Sequence, residues 1–448
     1  MTTRDSRGHW SRREFLKTAG VGLGALSLAS FVGFSQATPA IRIGLIDPLL
    51  LPVGTAATRG ASIAVDEINA AGGVLGRPFK VDSYIKDDGL DTSVGPQNFE
   101  TLVVEDKVLA VVGGFLDEVT LAIVDTVLPR LRTPFLNTGT ATPETTDRVR
   151  TDYANFKYYF RLMLDTDILT ADTVSAAAGV LGKEVHVTSA GILVEDGVFG
   201  RDFQSFMETK LPGVGISVPS GASFRFPESG SFDFSSILNQ SKEAGVEAFI
   251  IAFARNDGVG FVTQWFNQGP RVPVLGINVS GQAFEYYAST LGKVVSHVYA
   301  DAATGATAIT EKTLPFFNSY VSRYTTPPVQ PLFTGYTTYD SIYILKQAIE
   351  RIGETPPLTG DEAGYSAYKD ELVAAIEQTD IISTVGHVRF QGKSDPKPHD
   401  PFTLDAQGNV FVVPKWVQWQ VENGKADRKV VWPTEYKNSQ FVPPPPQS

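Results

Sequence analysis

The sequence has no cysteine among its 448 residues and only five histidines. The missing thiols exclude disulfides, thiolate metal sites, a cysteine nucleophile and a lipid-anchored N-terminal cysteine. The histidines beyond residue 37 show no metal-ligand spacing, and the chain contains no nucleophile-elbow or phosphate-loop motif. We therefore predict that the protein is not an enzyme and has no catalytic residue, no metal site and no cofactor.

Long apolar runs are also missing after residue 37, so we predict no membrane span in the rest of the chain. The first 37 residues hold five basic and two acidic side chains, which leaves the remainder with a net charge of −14 where the whole chain has −11. So acidic a chain is a poor partner for nucleic acid and for anionic membrane surfaces.

The N-terminus has the three parts of a signal peptide, which we assign to residues 1–37. Arg12-Arg13 are followed by Phe15, Leu16 and Lys17, then by a weakly apolar run over 18–34 and a small-residue end at 35–37. The paired arginines resemble the twin-arginine export signal, which carries folded proteins. The alternative is an N-terminal membrane helix, for which a run of about 17 residues is short. Together with the missing anchor cysteine, this predicts a soluble periplasmic protein.

The remaining chain of roughly 410 residues is longer than the length at which a single hydrophobic core stops growing, so two domains are expected. Short β-branched runs alternate with helical patterns, which indicates βαβ units, parallel sheets and an α/β fold. Residues 41–46, 79–86 and 108–112 are the first three predicted strands, and residues 185–193 are a later one. Residues 441–448 form a proline-rich tail.

The third predicted strand ends at Gly113-Gly114. Such a pair ahead of a helix allows backbone amides to face a ligand at the carboxyl edge of the sheet. It is equally consistent with a tight turn.

Three segments carry a family resemblance: Ile41 to Pro48, Ala64 to Gly76 and Val111 to Gly114. They are similar to type I periplasmic solute-binding proteins, and within that class to the leucine/isoleucine/valine-binding branch that serves ABC importers. Further matches lie at Tyr159-Phe160-Arg161 and at 386–390.

The resemblance implies two doubly wound parallel-sheet lobes joined by three crossing segments. Lobe 1 would hold residues 41–160 and 303–386, and lobe 2 residues 161–302 and 387–440. The lobes would close on a small solute by hinge bending, and an ABC permease in the inner membrane would receive it from a monomeric protein. A periplasmic sensor that docks on a receptor without transport is the alternative.

The same resemblance implies the site residues. In amino-acid binders of this family, hydroxyls and amides of lobe 1 hold the ligand carboxylate, and an acidic residue of lobe 2 holds its ammonium. The corresponding positions here carry Asp117 or Glu118, Gly139, Thr140, Ala141, Phe199, Ala254, Arg255 and Asn278.

Several of these residues depart from the family pattern. A carboxylate at Asp117 would repel a ligand carboxylate, since like charges 4 Å apart cost about 4 kcal/mol at an effective dielectric of 20. Asn278 stands where the acidic ammonium partner is expected. The solute is then either a reversed amino acid, with its amine toward Asp117 and its acid toward Arg255, or a non-amino-acid such as an amide or urea-like compound. Each of these residues also has a purely structural alternative. Asp117 and Glu118 could be acids favoured in a first helical turn by the helix dipole, Arg255 could form a surface ion pair, and Asn278 could cap a helix or turn.

Overall fold

The computed structural model describes residues 39–446 except 257, 302–306, 359 and 403–414. The predicted signal peptide at 1–37 lies outside the described residues, as do the last two residues of the proline-rich tail. Among the helices in the described ranges, none is both long and apolar enough to cross a membrane.

Two large sheets are built from strands that mostly follow helices along the chain. The strands are β1 (Ile41–Asp47), β2 (Phe79–Lys80), β3 (Ile85–Asp87), β4 (Ala110–Gly113), β5 (Phe135–Asn137), β6 (Tyr159–Arg161), β7 (Ala190–Glu195), β8 (Ser223–Phe226), β9 (Ala248–Phe253), β10 (Val274–Asn278), β11 (Val298–Asp301), β12 (Asp380–Ile382), β13 (His387–Arg389), β14 (Lys415–Glu422) and β15 (Lys425–Trp432). The helices are α1 (Pro52–Ala70), α2 (Val94–Glu100), α3 (Asp117–Thr126), α4 (Leu128–Leu131), α5 (Glu144–Thr151), α6 (Tyr153–Phe156), α7 (Thr166–Ala176), α8 (Val198–Lys210), α9 (Ser235–Glu243), α10 (Val259–Gln268), α11 (Tyr286–Ser289), α12 (Thr313–Arg323), α13 (Phe333–Ile352) and α14 (Glu362–Ile376).

The first sheet has the order β2-β1-β4-β5-β6, with β3 also paired to β1, and every pairing in it is parallel. β1 is buried along nearly its whole length because helices cover both faces of a parallel sheet. α1 and α13 pack against each other beside it.

The second sheet has the order β15-β14-β11-β10-β9-β7-β8. Strands β7 to β11 are parallel, whereas β14 runs antiparallel to both β11 and β15. All tryptophans of the described chain lie in this sheet or in α10, which packs on it: Trp265, Trp416, Trp419 and Trp432.

The α/β prediction of two parallel-sheet lobes is confirmed. The chain leaves the first sheet after β6 and forms β7 to β11 of the second sheet, α13 then packs on α1 beside the first sheet, and β14 and β15 return to the second sheet. The lobe boundary at 386–387 stays a prediction. Beyond it, β13 pairs with β12, and His399 Nδ1 donates a hydrogen bond to the backbone oxygen of Tyr159 in β6. Among the described residues after β13, the next strand of the second sheet is β14, which begins at Lys415.

Other differences are local. The strand predicted over 79–86 is broken into β2 and β3, and the one predicted over 185–193 begins at Ala190. Gly113 and Gly114 form a tight turn with φ of 112° and 87°, and the Gly114 amide donates to the oxygen of Ile46 at 2.7 Å. That amide is therefore committed to the turn rather than available to a ligand.

Candidate functional site

A cavity of about 80 Å³ lies where strands of both sheets reach their carboxyl ends. Residues after β4 and β5 contribute one side, and residues at the ends of β7, β9, β10 and β11 contribute the other. Carboxyl ends of parallel strands are the usual place for a ligand in such sheets. The volume exceeds several-fold the roughly 10–15 Å³ that one water needs.

The walls are mostly apolar, with side chains such as Phe115, Leu164, Ile277 and Phe333. Six of the predicted site residues line the cavity: Asp117, Glu118, Gly139, Ala141, Phe199 and Ala254. Thr140, Arg255 and Asn278 do not line it. What any of these residues does to a ligand stays a prediction.

Asp117 begins α3 and is almost fully buried, with 4% of its surface exposed. Its Oδ1 accepts hydrogen bonds from the backbone amides of Ala141 at 2.8 Å and Thr142 at 3.1 Å. Its Oδ2 is buried and has no hydrogen-bond partner among the described residues. Burial raises the pKa of Asp117 to about 7, although the two amides act in the opposite direction.

The raised pKa of Asp117 predicts a stability that depends on pH. The folded chain favours the protonated form of Asp117, which therefore stabilises the folded state. This stabilisation is complete below the unfolded pKa near 3.8 and is lost as pH rises through about 7. Glu118 and Arg161 are the charged groups that act on it, in opposite directions. Between about pH 5 and about pH 8 we expect the wild type to lose about 2–3 kcal/mol more than Asp117→Asn does. Urea unfolding of both proteins at the two pH values measures this, and equal losses would contradict it.

Glu118, next along α3, links the two halves of the cavity. Its Oε1 accepts the backbone amide of Val198 at 2.7 Å, at the start of α8. A carboxylate is favoured there because the first amides of a helix have no partner within the helix. Both acids also lie in the first turn of α3, as the helix-dipole alternative expects.

The polar side-chain groups of Thr140 and Asn278 form hydrogen bonds with other residues of the protein. Thr140 shares a 2.6 Å hydrogen bond with Thr120 and accepts one from Asn137 at 3.1 Å. Asn278 donates to the hydroxyl of Tyr286 at 3.1 Å and accepts the amide of Gly281 at 2.9 Å. The capping alternative for Asn278 matches this geometry.

Arg255 lies beside the cavity, with its Nη1 4.0 Å from Glu228 Oε2 and 30% of its side chain exposed. Its backbone amide donates to Glu195 Oε2 at 3.0 Å, while the Asn256 amide donates to Oε1 at 2.6 Å. Glu195 thus positions the loop after β9. Burial raises the pKa of Glu195 to about 8, and the negative charge of Glu228 adds to the effect.

Five polar lining residues were not predicted from the sequence: Glu195, Glu228, Gln282, Asp301 and Thr337. Asp301 ends β11 and accepts a hydrogen bond from Arg428 at 2.9 Å. Glu195 ends β7, so an acid at the end of a buried run was the signal that could have found it. With Asp117 and Glu118, the cavity lining holds five carboxyl groups, and among its described residues there is no lysine, arginine or histidine.

Residues 40–404 match the family model described as periplasmic binding protein. The chain is 24% identical over 371 residues to the Leu/Ile/Val-binding protein homolog 8 of Brucella abortus, covering 81% of this chain and 85% of that one.

Solved structures with the same fold include a leucine-binding protein of Thermotoga maritima, with a TM-score of 0.68, 18% identity and coverage of 87% of this chain and 98% of that one. A solute-binding protein of an ABC transporter from R. palustris, in complex with benzoate, has a TM-score of 0.66, 15% identity and coverage of 88% and 96%.

Proposed function

Because this chain belongs to the periplasmic binding protein family, we propose that it captures a small polar solute for an ABC importer. The solute is an amino acid, an amide or a related compound, which the protein delivers to a permease in the inner membrane. Membership of the family implies a place outside the cytoplasm. Export by the twin-arginine route and a monomeric state are part of the same proposal.

The observation that carries this proposal is the cavity built from both sheets. Asp117 and Glu118 approach it from the side of the first sheet, and Glu195 and Ala254 from the side of the second. A solute in this position would touch both sides at once, as binding by closure requires.

Two contacts across the cavity support a closing movement. Glu118 accepts the Val198 amide at 2.7 Å, and the amide of Thr166 donates to the oxygen of Ala141 at 2.9 Å. In the proposed closing movement these contacts would help to hold the closed arrangement, and a solute would favour it further only by the contacts that it adds there. The permease would then recognise the closed form.

We expect at least one small solute to stabilise the purified protein in a thermal-shift screen. The panel would hold branched-chain and cationic amino acids, aromatic acids, short amides, urea and amines. A solute at about a thousand times its dissociation constant stabilises the folded state by about 4 kcal/mol, which raises the melting temperature by several degrees.

Matched variants test whether that solute sits in the cavity. Ala254→Phe places a ring in the lining and is expected to abolish the shift. Ala171→Phe puts the same ring on an exposed position of α7 and is expected to keep it. No shift with any member of the panel, or an undiminished shift in Ala254→Phe, would contradict the proposed function.

A further inference from the structure

We propose that the solute of this cavity is an organic cation, a primary amine or amidine with a small apolar body and no carboxylate. This inference rests on the proposed function and narrows its solute class. It follows from three features of the site. Two neighbouring backbone amides that could hold an anion are already hydrogen-bonded within the protein, two buried oxygen acceptors of the lining have no hydrogen-bond partner among the described residues, and the ionisable side chains of the lining are all carboxyl groups.

The amides that could hold an anion are already occupied. The neighbouring amides of Ala141 and Thr142 converge on one point, which is the arrangement that binds a carboxylate. Here that point is taken by Oδ1 of Asp117, at 2.8 and 3.1 Å. The protein's own carboxylate thus stands where an acidic solute would need to bind.

The unpartnered polar atoms of the lining are acceptors. Oδ2 of Asp117 and Oε1 of Gln282 are both buried without a hydrogen-bond partner among the described residues, and the two side chains are 4% and 7% exposed. A buried acceptor left unpaired is costly, so a solute that offers N–H donors gains by filling it. An ammonium or amidinium offers such donors and no acceptor.

The ionisable side chains of the lining are all carboxyl groups, four of them besides Asp117. The nearby arginines lie outside the lining and are paired: Arg161 with Asp400 in a double hydrogen bond, Arg428 with the lining Asp301, and Arg255 at 4.0 Å from the lining Glu228. A solute carboxylate would meet carboxyl groups without a lining cation, whereas a cation would be attracted. The apolar walls fit a short alkyl or aryl body beside the charged group.

Binding of a cation is also expected to release protons. Burial holds the pKa of Asp117 at about 7 and that of Glu195 at about 8, so both acids are partly protonated near neutral pH before the cation arrives. The charge of Glu118 raises the pKa of Asp117 and that of Arg161 lowers it. The charge of Glu228 raises the pKa of Glu195, and hydrogen bonds from the amides after β9 lower it. Amine affinity should therefore rise as the pH is raised from about 6 to about 8.

The test compares solutes that share a body and differ in the charged group. Calorimetric titration of the purified protein would use 3-methylbutylamine against leucine and benzylamine against benzoate. We expect each amine to bind about tenfold or more tightly than its acid partner, with affinity that increases with pH. An acid that binds as tightly as its amine partner, or the absence of binding by both amines, would overturn the inference.

Asp117→Asn keeps the shape of the side chain and removes its charge. Because a hydrogen bond to a charged group is lost, amine affinity should fall about tenfold to a hundredfold. Asp125→Asn makes the same change on the exposed side of α3, where Asp125 pairs with Arg148, and should leave affinity unchanged. Unchanged amine binding in Asp117→Asn would overturn the inference. The wild-type comparison decides alone if this variant does not fold, and binding of leucine or benzoate without the amines would remove the inference while leaving solute capture standing.

Discussion

Replacing Asp400 with alanine is expected to lower the free energy of unfolding by about 3–5 kcal/mol, because it leaves a buried guanidinium without its partner. Arg161 is fully buried and Asp400 is 1% exposed. The Arg161 Nε and Nη2 donate to the two Asp400 oxygens at 2.7 and 2.6 Å, and Nη1 donates to the oxygen of Thr142 at 2.6 Å. Loss of Asp400 also releases the arginine that holds Thr142, whose amide orients Asp117.

A matched surface pair provides the control. The same two nitrogens of Arg150, Nε and Nη2, donate to Oδ1 of Asp147 at 3.1 and 2.9 Å, with about half of each side chain exposed. Exposed pairs contribute little, so Asp147→Ala should cost less than about 1 kcal/mol. Urea unfolding measures both, and similar losses for the two variants would mean that the buried pair adds no more than a surface one.

Gly113→Ala is expected to cost about 4 kcal/mol of stability, from backbone strain and a steric overlap together. Gly113 has φ of 112°, a conformation that side chains with a Cβ rarely adopt. An added Cβ would lie 2.2 Å from the oxygen of Ile46 and 2.7 Å from Asp47 Oδ2. Neither neighbour can retreat easily, because Ile46 belongs to β1 in the centre of the sheet.

Two other glycines separate the two causes. Gly221 has φ of 78° but open space around its Cβ position, so Gly221→Ala should cost about 1 kcal/mol from strain alone. Gly213 has open space and no positive φ, so Gly213→Ala should change stability by less than about 1 kcal/mol. If Gly113→Ala unfolds in the same urea concentration as Gly221→Ala, the overlap with Ile46 is not limiting.

Hydrophobic patterning was sufficient for the parallel strands, since strands such as β1 and β4 are apolar runs buried on both faces. It failed for β14, which is buried over Lys415 to Gln420 although half of those residues are polar. Gln418 donates to the oxygen of Ser296 at 2.9 Å and Gln420 donates to Gln418 at 2.8 Å. Polar side chains that satisfy one another inside a sheet cannot be recognised by counting apolar residues.

The position of candidate site residues was predictable where they follow a strand, and their orientation was not. Asp117 and Thr140 both come shortly after strands of the first sheet, yet Asp117 lines the cavity and Thr140 turns toward Thr120 and Asn137. Which way a side chain points depends on hydrogen bonds formed only after folding. Glu195 lay two residues beyond the predicted end of its strand, so its place in the lining was missed.

Because the described tryptophans are grouped on the second sheet, their fluorescence probes only one of the two sheets. In a protein without residues 1–37, which hold Trp10, the tryptophan fluorescence comes from Trp265, Trp416, Trp419 and Trp432 and reports on that sheet. Far-ultraviolet circular dichroism reports on both sheets. Coincident unfolding curves from the two signals would mark a single cooperative unit, and staggered curves would mark two halves that melt separately. The independence of the two halves can thus be read without attaching any label to the protein.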